Sequence, residues 1–382
     1  MRISFNSKID DIPAEAWNAL VQDNNPFLRH EFLAALERNR CVGRHFGWLP
    51  MHLAAYDADD QLAAAVPLYL KYNSYGEFVF DWAWADAYQR SGLVYYPKLV
   101  AAVPYTPATG QRLLLSPGAP AGAAERIVAA VTRQAQELNL SSLHWLFPDA
   151  GEMPGLLQQG LMARSGCQFH WHNEGYRDFD DFLATFTADK RKKLKRERRR
   201  VAEAEVELET LHGPQISDEL WVVIHDFYRS TFDKKSGHPT LTLGFFQEVG
   251  KTLGDQVVVV IARHQGQPVA AAISFRSGDT LYGRHWGCNA EFHSLHFEAC
   301  YYQGIDYCIR HGLQRFEPGA QGEHKVGRGF RPTATWSAHW IAHPGMSRAI
   351  GEFLQREEAM MADYSEKLSE HLPFKSGQIP VK

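Results

Sequence analysis

The stretches VVIARHQGQPVAAAISF (residues 259–275) and HLAAYDADDQLAAAVPL (residues 52–68) share one design, and this repeat decides the predicted fold. In each, an apolar run leads through a short polar turn into a second apolar run that holds three consecutive alanines. Such a pattern predicts a β-hairpin. A helical stretch and then an apolar strand follow each hairpin, at residues 125–146 and 295–316. The repeated order of elements predicts two similar α+β domains.

The composition is that of an ordinary globular protein with room for two domains. The chain has 382 residues, of which 45% are hydrophobic and 22% charged, and its formal net charge is -4. This charge gives no overall attraction to nucleic acids or acidic membranes, so any such affinity has to come from a local patch. The five cysteines form no CxxC pair, and no stretch approaches the roughly 20 apolar residues that span a bilayer. We therefore expect a cytoplasmic protein without an export signal or a membrane span.

The domain boundary is predicted between residues 167 and 181, where no low-complexity linker occurs. We place the first domain at residues 1–175 and the second at residues 176–382. Asp178 or Asp180 is expected to cap a helix that continues into the basic block DKRKKLKRERRR (residues 189–200). Nine of the eleven residues from 190 to 200 are Lys or Arg, and like charges at this density repel one another unless an anion balances them. The block therefore favours phosphate binding over a merely solvated helix.

The second half contains a glycine-rich polar loop, EPGAQGEHKVGRGF (residues 317–330), directly after a short apolar run. Glycine lets a backbone approach a ligand closely, and the acid, imidazole and cation side chains offer proton transfer and anion binding. A solvated surface turn is the alternative. Upstream, residues 257–262, 269–276 and 280–286 are predicted to form three consecutive antiparallel strands. Gly283 and Gly287 in the third strand indicate either a bulge near a ligand or the end of the strand in a turn.

The helix after these strands carries further candidates. Tyr301 is predicted to pack in the core, whereas Glu298 and Tyr302, four residues apart, share another face and could meet a substrate. For Glu298 a solvated helix face is the alternative. His293 and His296 have the spacing of metal ligands but no clear third partner, so no metal site is predicted.

The first half has an aromatic segment, SYGEFVFDWAWADAY (residues 74–88). Its density of Tyr, Trp and Asp suits a polar ligand with an apolar or ring-bearing portion, and an aromatic edge of the core is the alternative. The substrate-binding residues predicted in this half are Tyr75, Glu77, Asp81, Trp82, Asp86, Lys98 and Arg112.

Three segments together resemble a known family. Residues 317–330, HFEACYYQ (residues 296–303) and residues 74–88 are similar to the FemAB-like, or peptidoglycan biosynthesis/recognition, family of the GNAT acyltransferase superfamily. The likeness covers nearly the whole chain. It implies two tandem GNAT-like domains, each a mostly antiparallel mixed sheet flanked by helices. It also implies transfer of an acyl or aminoacyl group to an amine.

One departure from the superfamily bears on the donor. GNAT domains that bind acetyl-CoA typically carry an Arg/Gln-x-x-Gly-x-Gly/Ala loop whose backbone amides hold pyrophosphate. GCNAEFHSL (residues 287–295) stands at that position without those glycines. This difference argues against acetyl-CoA as the donor and in favour of other donors. The FemAB relatives use aminoacyl-tRNA. The donor stays open between acyl-CoA and aminoacyl-tRNA, and no tightly bound cofactor is expected.

The resulting hypothesis is a cytoplasmic N-acyltransferase that acts on a small amine or on the amine of a cell-wall precursor. Glu317 or His324 is expected to take the proton of the amine, and Tyr302 to protonate the leaving group. Backbone amides at residues 283–287 are expected to stabilise the oxyanion. The alternative is a non-catalytic GNAT-like module that binds RNA or a peptidoglycan precursor.

The second half supplies the other predicted binding residues. The substrate-binding set there is His285, Trp286, Glu298 and Gln321. The residues predicted to bind the phosphates of the donor are Lys192, Lys195, Arg196, Arg199, Lys325 and Arg328. Among partners we expect the acceptor amine and tRNA, and no DNA.

Overall fold

The computed structural model describes residues 1–233 and 237–375. Its strands are β1 (Arg2–Asn6), β2 (Trp48–Pro50), β3 (His52–Tyr56), β4 (Leu62–Val66), β5 (Leu68–Lys71), β6 (Lys98–Ala101), β7 (Leu114–Leu115), β8 (Ser142–Leu146), β9 (Met162–His172), β10 (Val206–His212), β11 (Val257–His264), β12 (Gln267–Arg276), β13 (Thr280–Cys288), β14 (Arg315–Glu317) and β15 (Arg331–Ile341).

The helices lie between these strands along the chain, except for the last helix, which follows β15. They are α1 (Ala14–Asn18), α2 (His30–Arg38), α3 (Trp82–Arg90), α4 (Ala123–Glu137), α5 (Met153–Gln158), α6 (Phe179–Ala184), α7 (Ala188–Glu203), α8 (Asp218–Asp233), α9 (Leu243–Thr252), α10 (Leu295–Phe297), α11 (Gln303–His311) and α12 (Pro344–Ser369). A π-helix (Glu298–Tyr302) joins α10 to α11, and a 3-10 helix (Glu323–Arg328) lies in the glycine-rich loop.

The chain divides into two compact units. Unit 1 comprises residues 1–167 and 334–363, and unit 2 comprises residues 168–333 together with the described residues from 364 onward. The division at 167/168 lies close to the predicted boundary at 175/176. A single boundary does not describe the division, however, because residues 334–363 return to unit 1.

Unit 1 is built on two sheets. One has the order β1-β3-β4-β7, and the strands of the other follow the order β15-β8-β6-β5-β2. The predicted first hairpin is confirmed as the antiparallel pair β3 and β4, in which Ala55 lies opposite Ala64. Only the pairing of β6 with β8 is parallel among the strand pairs described in this unit. The apolar face of α4, with Ile127 and Val131 fully buried, packs into the core that these strands form.

Unit 2 contains one sheet segment with the order β10-β11-β12-β13-β14-β9. The predicted second hairpin is confirmed as β11 and β12, in which Ala262 lies opposite Ala270, and β13 is the predicted third antiparallel strand. The β13–β14 pair is parallel. Both units thus have mostly antiparallel mixed sheets with flanking helices, so the predicted fold class is confirmed.

The prediction of one continuous helix from Asp178 through the basic block was wrong. Asp178 does cap α6, since its carboxylate accepts a 2.7 Å hydrogen bond from the Asp181 amide. The helix then stops at Ala184, and α7 begins at Ala188. The interruption occurs because Phe186 is fully buried against Phe182 and Phe374.

Candidate functional site

A pocket opens in unit 2 where two parallel strands part. β13 and β14 pair only from Thr280 opposite Arg315 to Tyr282 opposite Glu317. Beyond this point lies a cavity of about 290 Å3. Its walls come from α8, β12, β13, α10, the π-helix and the loop after β14. The lining residues are Tyr228, Thr231, Phe232, Ala272, Ile273, Ser274, Gly283, Arg284, His285, Trp286, His296, Cys300, Tyr301, Pro318, Gly319, Ala320, Gln321 and Lys325.

The glycines of β13 serve close packing around this pocket. A Cβ atom at Gly287 would overlap the backbone carbonyl of Phe227 on α8, so only glycine lets α8 lie this near the strand. A Cβ atom at Gly283 would lie 3.2 Å from the Cα atom of Pro318. The register of β13 shifts between these glycines, which makes Arg284 the bulged residue. The expected bulge is therefore present and forms one wall of the pocket.

Lys325 brings an amine to the pocket wall without a compensating carboxylate. Its side chain is buried, and Nζ donates a 2.7 Å hydrogen bond to the carbonyl oxygen of Gly319. Within residues 1–233 and 237–375, no carboxylate forms an ion pair with it. Burial lowers the pKa of Lys325 to about 7. A substantial fraction of the amine is therefore neutral near neutral pH.

Tyr301 and His324 form a hydrogen-bonded pair beside Lys325. The Tyr301 hydroxyl lies 2.9 Å from Nε2 of His324. Burial raises the pKa of Tyr301, and burial together with Arg328 and Lys325 lowers the pKa of His324. Both groups are therefore neutral near pH 7. Sequence reasoning assigned Tyr301 to packing, because the helical spacing of apolar residues does not distinguish a core wall from a pocket wall.

Tyr302, by contrast, is fully buried in a polar triad with Glu197 and Arg328. The Tyr302 hydroxyl donates to the Glu197 carboxylate and accepts a 3.0 Å bond from Nε of Arg328. Nη2 of Arg328 lies 2.9 and 3.0 Å from the two Glu197 oxygens. The triad fixes α7 to the π-helix and to the 3-10 helix. The polar atoms of Tyr302 and Arg328, which were both predicted as site residues, thus form hydrogen bonds inside unit 2. Neither residue lines the pocket.

Glu317 is buried at the end of β14. Its Oε1 lies 3.3 Å from Nε of Arg315, and its Oε2 lies 4.0 Å from Nε2 of His170. Burial lowers the pKa of nearby Arg284 to about 10, and Glu317 opposes this change. Glu317 therefore belongs to a charge-compensated cluster behind the pocket, and it is not among the residues that line the cavity.

The other substrate-binding residues predicted in unit 2 divide between wall and interior. His285, Trp286 and Gln321 line the pocket, and burial, with Arg284, lowers the pKa of His285 to about 3. Glu298 is buried instead and pairs with Nη2 of Arg198 at 3.1 Å. The structure thus brings three of the four to the cavity.

The comparisons with known proteins identify the family and the fold. The sequence model of the FemAB-like family, whose description is peptidoglycan biosynthesis/recognition, matches residues 8–376. The chain belongs to the FemAB-like family. No curated protein matches it by sequence.

Solved structures resemble this FemAB-like protein in fold. FemX has a TM-score of 0.54 at 9% identity, with 92% of this chain and 100% of that chain covered. The C-terminal domain of a putative lysylphosphatidylglycerol synthetase from Agrobacterium fabrum has a TM-score of 0.53 at 10% identity, with 91% and 96% covered. L-PGS from Bacillus licheniformis has a TM-score of 0.50 at 10% identity, with 90% and 97% covered. The chain therefore shares its fold with these three proteins.

The basic helix α7 keeps most of its charge exposed. Leu194, Glu197 and Val201 form its buried face, and all four residues predicted to bind phosphate on it are exposed: Lys192, Lys195, Arg196 and Arg199. Lys195 pairs with Asp180 at 2.8 Å, and Arg199 pairs with Glu203 at 3.3 Å. Lys192 and Arg196 form no ion pair with any residue that the structure describes.

Unit 1 has a buried ionic cluster of its own. Nζ of Lys98 contacts Glu77 Oε2 at 2.8 Å, the Asp81 carboxylate, and Ser74 Oγ at 3.1 Å. The Tyr95 hydroxyl donates a 2.6 Å bond to the same Asp81 oxygen. Burial alone would lower the pKa of Lys98, but the two carboxylates raise it above its ordinary value. Glu77, Asp81 and Lys98 are thus brought together, and Lys71 Nζ lies 4.0 Å from the other oxygen of Glu77.

The remaining residues predicted in unit 1 lie outside that cluster. Tyr75 and Trp82 are exposed, with ring centroids 4.9 Å apart. Asp86 is exposed and pairs with Arg90 at 2.9 Å. Arg112 is buried and donates to the carbonyl groups of residues 108, 110 and 111 at 2.7 to 3.0 Å. The guanidinium of Arg112 therefore holds its own loop together.

Among residues 1–233 and 237–375, no three His, Cys, Asp or Glu side chains are grouped so that they could hold a metal ion. None of the helices in those ranges combines the length and the apolarity that crossing a membrane requires.

Proposed function

We propose that this FemAB-like protein is an acyltransferase that moves an acyl or aminoacyl group from an activated donor to an amine of a cell-wall precursor or another small amine. Membership of a family of peptidoglycan biosynthesis/recognition and the GNAT-like fold support the class of reaction. The observation that carries the proposal is the uncompensated Lys325 amine on the wall of the unit 2 pocket. A lysine whose pKa is lowered to about 7 can take up and release a proton near physiological pH.

In the proposed reaction the acceptor amine attacks the carbonyl carbon of the donor within the pocket. A nitrogen–carbon bond forms, and the carbon–sulfur bond of a thioester or the carbon–oxygen bond of an aminoacyl ester breaks. Neutral Lys325 takes the proton that the amine loses, and this proton then passes to the departing sulfur or oxygen. The hydroxyl of Tyr301, held by His324 at 2.9 Å, is placed to donate a hydrogen bond to the carbonyl oxygen as charge develops on it.

The predicted catalytic residues take supporting positions in this proposal. His324 orients the Tyr301 hydroxyl, and Tyr302 fixes the π-helix through Glu197 and Arg328. The carboxylate of Glu317 compensates the charge of Arg315 behind the pocket. It also favours the charged form of the neighbouring Arg284. Lys325 thus replaces Glu317 and His324 as the favoured base, because it lines the cavity and no carboxylate among the described residues forms an ion pair with it.

The donor in the proposal carries phosphate groups that α7 neutralises. Lys192 and Arg196 are the exposed cations best placed for this role, since their charges meet no acid among the described residues. Acyl-CoA and aminoacyl-tRNA both fit this requirement. A long polyanion contacts more of the helix, so tRNA binding should respond more strongly to salt. We place the reaction in the cytoplasm, where the five cysteine thiols, none of which forms a disulfide, would stay reduced.

The proposal is tested with a transfer assay on the purified full chain. Acetyl-CoA, longer acyl-CoAs and aminoacyl-tRNA are each supplied with a cell-wall precursor that bears a free amine, and the product is followed by mass spectrometry. The Lys325→Arg variant keeps a cation but cannot release its proton, so turnover should fall by about 10²–10⁴ while donor binding persists. The matched control is Lys251→Arg, an exposed lysine of the same unit. Donor binding without product in the wild type would indicate a silent binding module and would sink the proposal.

The role of α7 is tested separately by charge reversal. In Lys192→Glu/Arg196→Glu, affinity for tRNA should fall about tenfold or more at low salt, and the salt dependence should weaken by about two counterions. The control is Lys251→Glu/Arg310→Glu, which reverses two exposed cations elsewhere in unit 2. Equal losses in both variants would show only a general effect of net charge. An unchanged affinity in the first would remove α7 from the donor site.

A further inference from the structure

In one loop of unit 1 the polar side chains are buried and the aromatic side chains are exposed, which reverses the usual pattern. In the aromatic loop (residues 72–82), the polar side chains of Ser74, Glu77 and Asp81 are only 4%, 3% and 1% exposed. The five large aromatic side chains, in contrast, are 38% to 69% exposed: Tyr72, Tyr75, Phe78, Phe80 and Trp82. Soluble proteins usually bury rings and expose carboxylates, and contiguous exposed apolar surface marks an interaction site.

The rest of unit 1 holds this loop in place through its backbone. The carbonyl of Tyr75 accepts hydrogen bonds from Lys71 Nζ at 3.0 Å and from Trp48 Nε1 at 3.1 Å. The carbonyl of Phe80 accepts from Arg164 Nη1 at 2.9 Å. Phe78 adopts φ of 60°, an unfavourable backbone conformation for a bulky residue that persists only where its surroundings enforce it. The rings are therefore displayed by a fixed scaffold.

We propose that the aromatic loop docks this protein on the surface of a lipid bilayer. Tyr and Trp rings favour the boundary between lipid and water, and the two Phe rings add apolar surface without a polar group. A sugar ligand would need polar side chains beside the rings, but the loop turns Ser74, Glu77 and Asp81 inward to Lys98. The loop presents mainly exposed aromatic surface, which suits shallow insertion between headgroups.

The charged residues around the aromatic loop are also compatible with docking on a lipid bilayer. Glu77 and Asp81 are buried beside Lys98, and Lys71 Nζ lies 4.0 Å from the other Glu77 oxygen, so these two acids of the loop are withdrawn from the surface that would face anionic headgroups. Exposed Arg44 lies on the neighbouring turn, where the carbonyl of Gly47 accepts the amide of Tyr72. Contact of this kind is peripheral. It goes beyond the proposed transfer reaction and does not depend on it.

The test is sedimentation of the full chain with vesicles of phosphatidylcholine alone and of phosphatidylcholine with about a quarter phosphatidylglycerol. The wild type should pellet with both kinds and more strongly with the second. In Tyr75→Ser/Phe80→Ser, which alters the two most exposed rings, the ratio of bound to free protein should fall about tenfold or more. An unchanged thermal midpoint and near-UV spectrum would show that this variant remains folded.

Two control variants separate the loop from other surfaces. Leu138→Ser/Leu157→Ser removes two exposed apolar side chains of unit 1 outside the loop and should bind like the wild type. Lys192→Glu/Arg196→Glu should also keep its binding to phosphatidylcholine. The proposal is overturned if the wild type pellets with neither vesicle, or if only the α7 variant loses binding. It is also overturned if the ring variant differs from the wild type only in self-association.

Discussion

Two of the buried lysines, one in each unit, have different surroundings. Lys98 in unit 1 contacts two carboxylates and a hydroxyl, and Glu77 and Asp81 raise its pKa against the effect of burial. For Lys325 in unit 2, the Gly319 carbonyl is the one hydrogen-bond partner among the described residues, and burial lowers the pKa of Lys325 to about 7. The first lysine therefore stays an ammonium ion, whereas the second exchanges its proton near neutral pH.

A third lysine shows that a lowered pKa alone does not make a site. Lys71 is buried, the nearer Glu77 oxygen is 4.0 Å from its Nζ, and burial lowers its pKa to about 7. Its Nζ, however, donates to Asn73 and to the Tyr75 carbonyl and lies 3.9 Å from the centre of the Trp48 ring. Lys325, in contrast, borders a cavity of about 290 Å3. An exchangeable proton combined with space for a substrate distinguishes a candidate catalytic lysine, such as Lys325, from a structural one, such as Lys71.

The largest expected effect is on stability, from Lys98→Met. This change leaves Glu77 and Asp81 buried without their cation, and breaking such a pair typically costs about 3–5 kcal/mol. The midpoint of urea unfolding should therefore fall sharply, or the soluble folded protein should be lost. Lys325→Met is the matched comparison, because it removes a buried ammonium that has no carboxylate, and it should unfold at or above the wild-type midpoint at acidic pH. Equal losses of stability in the two variants would show that the carboxylates around Lys98 do not set it apart from Lys325.

A second expected effect is on the pH dependence of transfer. If neutral Lys325 is the base, turnover should rise about tenfold per pH unit below its pKa of about 7 and level off above it. Single-turnover rates across this range would show the profile, and Lys325→Arg should lack the rise. A profile that is flat in the wild type would assign the proton transfer to another group.

A third, smaller effect is on the pH dependence of stability. Since the pKa of Lys325 is lowered, the unfolded chain binds more protons than the folded chain between about pH 7 and the ordinary lysine pKa. The contribution of Lys325 to stability should therefore increase as pH rises through this window, and this increase should be absent in Lys325→Met. Because its pKa is raised, Lys98 contributes no slope there and loses its stabilising effect only at higher pH. Unfolding midpoints at about pH 6 and about pH 9 would measure the difference between the two proteins.

The sequence predicted the elements of the fold better than their boundaries. The alanine-rich hairpins were recognisable because small residues and polar turns recur at the same spacing, and the structure pairs Ala55 with Ala64 and Ala262 with Ala270. The break between α6 and α7 was not predictable from local pattern. It depends on contacts of Phe186 with Phe374, which lies far along the chain.

The candidate site was located by composition but not by geometry. The glycine-rich loop was singled out because its polar and flexible residues follow a strand, and Gln321 and Lys325 of that loop do line the pocket. The environment of each side chain could not be derived in the same way. Arg328 and Tyr302 meet Glu197 from α7, more than 100 residues earlier, and only the tertiary structure shows that this acid compensates them.

The adjacent tyrosines of the π-helix provide the finest test of the contrast between a buried group with compensating partners and a group on the pocket wall. In Tyr302→Phe, Glu197 and Arg328 lose a buried hydroxyl, so the free energy of unfolding should fall by about 1–2 kcal/mol while turnover is retained. In Tyr301→Phe, the pocket loses a hydroxyl that only His324 is seen to hold, so turnover should fall about tenfold with little change in stability. Paired measurements of turnover and urea midpoint on both variants would decide the assignment. The reverse pattern would return the chemical role to Tyr302, and it would mean that a compensated, fully buried group takes part in the reaction while the group on the pocket wall only packs.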